Sequence, residues 1–145
     1  MIAALLLSCG LVALGSSARG EHGRSMLGVK ILPSTGPRAM ARNGHINFYL
    51  KVTGITLDVM HMGKAPIEGR GHIQFYLDRI PSDAYTRVDL QHNWIGFSAT
   101  PIFAFNLAAS PVRISPGHHR SIVALAKNNM VLYRAASDVI SITVR

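Results

Sequence analysis

Met60-His61-Met62 sets an imidazole between two thioethers, and no other stretch of the chain does so. Thioethers and imidazole form a soft donor set, which favours Cu(I) over calcium or magnesium. His72 opens a later strand, and Met130 sits in a later turn. A sandwich topology that brings those two turns to one end would add both residues to the set. The candidate metal residues are therefore Met60, His61, Met62, His72 and Met130, with copper as the ion. The alternative is packing. Methionine fills gaps in cores and loops, and a histidine that opens a strand ordinarily bonds to backbone.

A second histidine group is chemically poorer. His118 and His119 follow Pro116-Gly117. Adjacent residues on a strand point to opposite faces, so this pair would chelate zinc or nickel weakly. With His45 and Asp78 it is expected a strand length, roughly 20 Å, from the Met/His end. Catalysis finds less support. Serines, histidines and aspartates are present, yet no glycine-framed nucleophile elbow surrounds a serine. Glu21 and Glu68 fall in expected loops, whereas a paired-carboxylate glycosidase needs two inward acids on the scaffold. Asp78 closes a strand, where aspartate commonly serves a turn. No enzyme activity is expected. Tyr49 and Tyr76 fall on polar strand faces and could line a carbohydrate surface with Trp94, or cover a sheet edge with Trp94 in the core.

The elements that would position these residues have a period of two, not 3.6. Ile46, Phe48, Leu50 and Val52 alternate with Asn47, Tyr49, Lys51 and Thr53. Ile73, Phe75 and Leu77 alternate with His72, Gln74, Tyr76 and Asp78. Phe103, Phe105 and Leu107 form a third inward set, and Ile140, Ile142 and Val144 a last one. Ser121 to Ala126 is apolar on both faces, as a central strand would be. Val29 to Leu32 is a short strand closed by Pro33-Ser34-Thr35-Gly36-Pro37, a turn cluster. Pro81-Ser82-Asp83, Pro111 and Pro116-Gly117 mark further turns. The expected fold is all-β: a single immunoglobulin-like antiparallel β-sandwich of about seven strands over 29–145. Phe48, Phe75, Phe105, Leu125 and Ile142 should face inward. Gly44 to Leu50 repeats Gly71 to Leu77 at six of seven positions, differing only at Asn47 and Gln74.

The start of the chain bears on where it works. Residues 1–18 carry no charged side chain; Ile2 to Leu14 is nearly all apolar, and Ser16 and Ala18 fit a small-x-small cleavage site. Residues 1–18 therefore read as a signal peptide and 19–28 as a flexible leader, with an uncleaved anchor as the alternative. Leu6-Leu7-Ser8-Cys9 resembles a lipoprotein box, although apolar residues continue past Cys9, the only cysteine. Lys plus Arg number 15 against 7 Asp plus Glu, a net charge of +8. An exported domain of that charge would be drawn to anionic polymers or lipid headgroups. The basic residues form no run and do not interleave with aromatics, so nucleic acid is not an expected partner.

The layout Gly71-His72-Ile73-x-Phe75-x-Leu77-Asp78, Pro116-Gly117-x-His119, Leu125-Ala126-x-Asn128-Asn129 and Asp138-x-Ile140-x-Ile142-x-Val144 resembles a class of bacterial exported domains of unknown function. The resemblance covers roughly residues 45–145 and implies a short immunoglobulin-like or cupredoxin-like sandwich. In that class histidines commonly stand where this chain has Gln74 and Met130, departures that weaken any ligand role carried over. Residues and resemblance together lead to one expectation: a non-catalytic, periplasmic or secreted binding or accessory module. Its partner would be an envelope protein or an anionic surface polymer, with membrane contact only through a lipid on Cys9 or an uncleaved signal. A periplasmic copper-binding protein is the alternative, and an uncharacterised hydrolase the third.

Overall fold

The structure, a computed structural model, describes residues 26–36, 38–41, 43–80 and 93–145. The expected signal peptide, Cys9, Glu21, most of the leader and the Pro81-Ser82-Asp83 turn lie outside the described residues. The described strands are β1 (Gly28–Ile31), β2 (Ala39–Met40), β3 (His45–Thr53), β4 (Thr56–Leu57), β5 (Arg70–Leu77), β6 (Trp94–Ser98), β7 (Ile102–Asn106), β8 (Gly117–Lys127) and β9 (Leu132–Val144). A 3₁₀ turn at Leu107–Ala109 follows β7.

These strands build an all-β sandwich. One sheet has the order β1-β3-β7. The other runs β2-β9-β8-β5-β4, with β6 also paired to β5. Most pairs are antiparallel, but β2–β9 and β4–β5 are short parallel contacts, so the larger sheet is mixed. The two sheets are tied at one edge by the Ile31 N–H, which donates to Asp138 Oδ2 at 2.7 Å.

Alternation decides which side of each strand is dry. Ile46, Phe48 and Leu50 of β3 are buried, as are Ile73, Phe75 and Leu77 of β5. The five residues expected inward, Phe48, Phe75, Phe105, Leu125 and Ile142, are all in the core. Phe48 and Phe75 meet across the two sheets with ring centroids 5.4 Å apart. Phe103 stacks on Phe75 at 4.0 Å and lies against Gly96, where a Cβ would come within 2.6 Å of its ring. Gly96 also has φ +151°, so both space and backbone call for glycine there.

Three features depart from the expected layout. β6 is an additional strand, and Trp94 does not join the main core: it packs on a second cluster behind the larger sheet, with Tyr76, Ile122, Ala124, Ala126 and Leu132. Tyr76 is not an exposed aromatic; it is wholly buried. β9 begins at Leu132, well before the expected Ile140 set, and its pairing with β8 is irregular between Ala124 and Ala126. The central position of Ser121 to Ala126 holds, since β8 lies between β9 and β5 and all six residues are buried.

Candidate functional site

Two loops meet at one end of the sandwich. The segment 58–69 joins β4 to β5, and the hairpin 128–131 joins β8 to β9. Asn128, wholly buried, pins them together. Its carbonyl accepts from Gly63 N at 2.6 Å, and its Oδ1 accepts from Ile67 N at 3.4 Å. Met130 closes the hairpin in a left-handed conformation, φ +68°, with its N–H donating to Lys127 O.

Asp58 organises the first loop. Its N–H donates to Gly71 O, which holds the loop to β5. Its Oδ1 accepts from Met60 N at 3.0 Å, while Oδ2 accepts from His61 Nδ1 at 2.7 Å and Arg70 Nη1 at 3.2 Å. Burial alone would raise the Asp58 carboxyl, but the bonds from His61 and Arg70 outweigh it and hold the group below its ordinary value. A carboxylate only accepts, so His61 Nδ1 carries a proton and Nε2 is the ring's other nitrogen, not engaged by Asp58. The His61 side chain is 40% exposed and Met60 is 79% exposed.

The same end carries a groove of about 380 Å³ lined by Pro66, Ile67, Glu68, Gly69, Lys127 and Tyr133. Lys127 Nζ lies 5.4 Å from the Tyr133 ring centroid, a cation–π arrangement. Burial raises the Tyr133 phenol above its ordinary value, so the ring stays neutral beneath the ammonium.

The five expected metal residues fall into three settings. Met60, His61 and Met62 share the 58–63 turn. Met130 lies in the hairpin bonded to that loop and packs on the second apolar cluster. His72 is buried on β5, its register partner on β8 being Ala126. It does not bond to backbone as a strand-opening histidine ordinarily does; among the described residues neither ring nitrogen has a hydrogen-bond partner. Burial without a partner pushes its pKa down to about 4. Among the described residues, no three of His, Cys, Asp and Glu are grouped to hold a metal ion. The thioethers are the remaining donors of interest.

The opposite end holds Asp78 and His119, as the topology implied. His119 Nδ1 bonds Asp78 Oδ2 at 2.9 Å, and Nε2 bonds Ser115 O at 2.8 Å. Both partners only accept, so both ring nitrogens donate and the imidazolium is the form that satisfies them. Burial works against that charge, but Asp78 and Ser115 outweigh it and raise the His119 pKa. With both nitrogens engaged, this pair is a clamp and offers no free base. Arg120 N donates to Asp78 Oδ1, and Asp78 N to Arg120 O, which locks β5 to β8. His118 turns to the other face and meets Thr143 Oγ1 at 3.0 Å.

Asp58, Asn128, Lys127 and Tyr133 were not singled out as site residues from the sequence. Asp58 lies three residues before His61, and that spacing was the available signal. The others became neighbours only through the β8–β9 hairpin. No protein-family model and no curated protein matches the chain.

Proposed function

We propose that the protein is a non-catalytic exported module that binds an anionic surface polymer through its loop end. The observation that carries this is the 380 Å³ groove, preformed because Asn128 fastens both of its walls. Concave sites that need no ordering on binding lose less affinity to entropy. Lys127 and Tyr133 supply a cation and an aromatic face, Lys64 lies exposed in the adjoining loop, and Arg70 is exposed at the start of β5. The net charge of +8 adds long-range attraction. Export is supported by the apolar Ile2 to Leu14 run and the Ser16-x-Ala18 pattern. Among the described residues no helix is long and apolar enough to cross a membrane.

The test is retention of the full chain on an immobilised anionic polysaccharide across a salt gradient. Lys127→Glu should lower affinity about tenfold or more with the melting temperature unchanged. Equal retention of Lys127→Glu and wild type would remove the groove from the binding surface.

One observation favours a second function, Cu(I) capture: Asp58 holds His61 through Nδ1, which leaves Nε2 as the ligating nitrogen in a turn that also carries Met60 and Met62. Carboxylate–histidine pairs commonly orient metal-bound imidazoles. His61→Ala with Met62→Ala should then abolish Cu(I) uptake, whereas His118→Ala should not. Equal uptake by the double variant would remove this function.

A further inference from the structure

On the outer face of β5, His72 and Gln74 carry polar atoms without a hydrogen-bond partner among the described residues. Gln74 and His72 are both wholly buried. Trp94 Nε1 donates to Gln74 Oε1 at 2.6 Å. An indole nitrogen only donates, so the oxygen of Gln74 must face Trp94. That assignment leaves the Gln74 NH₂ group as the free end, and its Nε2 has no partner. His72, two residues earlier on the same face, has no partner at Nδ1 or Nε2. A buried neutral imidazole supplies one N–H and one lone pair. The pair therefore presents three N–H donors and a single acceptor. Leaving such groups unmet is costly, because each has lost its bonds to water and gained none.

The neighbouring strand sets short side chains opposite them. The register sets Ala124 opposite Gln74 and Ala126 opposite His72, so two methyl groups occupy the positions next to these long side chains. Trp94, Met130 and Leu132 pack over the alanines. Tyr76, two residues beyond Gln74 on the same face, is the titratable side chain of this cluster. Asp58, which follows β4, has its carboxylate taken by His61 and Arg70.

We propose that this face of the larger sheet holds an internal site for a small carboxylate, bound by the Gln74 amide and the His72 imidazole. The spacing favours a two-oxygen ligand over a single water. Same-face positions on a strand lie roughly 6.8 Å apart, and side chains stand nearly perpendicular to the sheet. One oxygen making two bonds of about 2.9 Å reaches about 5.8 Å. Two carboxylate oxygens extend that reach, and each accepts without needing to donate. A bound anion also offers His72 the counter-charge that its surroundings lack, so binding should take up one proton.

The test is a titration of the full-length protein with formate, and separately acetate, read by side-chain ¹⁵N NMR at Gln74 and His72. Saturable shifts at both residues with one ligand per chain are expected. Affinity should tighten about tenfold per unit fall in pH between 7 and 6, as linked uptake of one proton requires. Gln74→Glu places a carboxylate inside the site, so it should block formate and charge His72 at neutral pH while Trp94 keeps its acceptor. No shift at either residue with formate or acetate would overturn the proposal. Formate shifts unchanged in a folded Gln74→Glu variant would overturn it equally.

Discussion

β3 and β5 carry nearly the same seven residues and do opposite things with one half of them. Inward, the two strands match: Ile46, Phe48 and Leu50 face Ile73, Phe75 and Leu77 across one core, with Phe48 on Phe75 at 5.4 Å. Outward, they diverge. His45 is exposed and Asn47 and Tyr49 are half-buried, whereas His72, Gln74 and Tyr76 are wholly buried. The cause is position. β3 lies in a three-stranded sheet whose outer side stays open, while β5 has Trp94, Ile122, Leu132 and Met130 packed on its outer side. A strand's own sequence sets which residues alternate. What lies behind its sheet sets whether the second row meets water, and a polar row sealed from water is either a defect or a site.

The largest effects should appear where the strands agree. Phe48→Ala and Phe75→Ala each remove a fully buried ring and should cost about 3–5 kcal/mol. Denaturant midpoints that fall for one and not the other would break the pairing of the two inner rows.

Next comes the outer aromatic pair. Tyr76→Ala should destabilise by about 3–5 kcal/mol, while Tyr49→Ala, on the open face, should cost clearly less. Equal losses in thermal unfolding would mean that both outer faces are closed.

The histidines sharpen the contrast through pH. His72 is charged only below about 4 in the fold, against 6.5 when unfolded. Its contribution to stability is therefore complete above pH 6.5 and is lost as pH falls toward 4, by about 3 kcal/mol. His119 has the opposite sign. Its raised pKa stabilises the fold below pH 6.5, and that part is lost as pH rises through the folded value. Unfolding free energies of His72→Phe should lose the acid-side slope, and those of His119→Gln the weaker slope on the neutral side. The smallest effect is expected for His45→Ala, a surface change within about 0.5 kcal/mol.

Much of this architecture was legible. The alternation in 46–53 and 72–78 and the two-faced apolar run Ser121 to Ala126 named the central strands, and the proline-bounded turns separated them. β6 was hidden because Gly96, at φ +151°, and a bulge opposite Phe75 and Tyr76 break its period. β2 and β4 were hidden because each is two residues long and exists only as a parallel contact, β2 with the last strand and β4 with β5 across the 58–69 loop. The site was less legible than the fold. His72-x-Gln74-x-Tyr76 looks like a solvated row because polar alternation carries no record of what covers it, and His45-x-Asn47-x-Tyr49 has the same pattern. Met60-His61-Met62 could be read from sequence, but the orientation of His61 by Asp58 needed the turn, and the groove needed Asn128 to join two loops.

The central claim is that β5 has a sealed outer face with an unmet imidazole. A pH titration of the full-length protein without added ligand, following the His72 ring nitrogens by ¹⁵N NMR, tests it most directly. A midpoint near 4 is the predicted result. A midpoint near 6.5, with the fold intact, would show His72 open to water or already partnered and would contradict it.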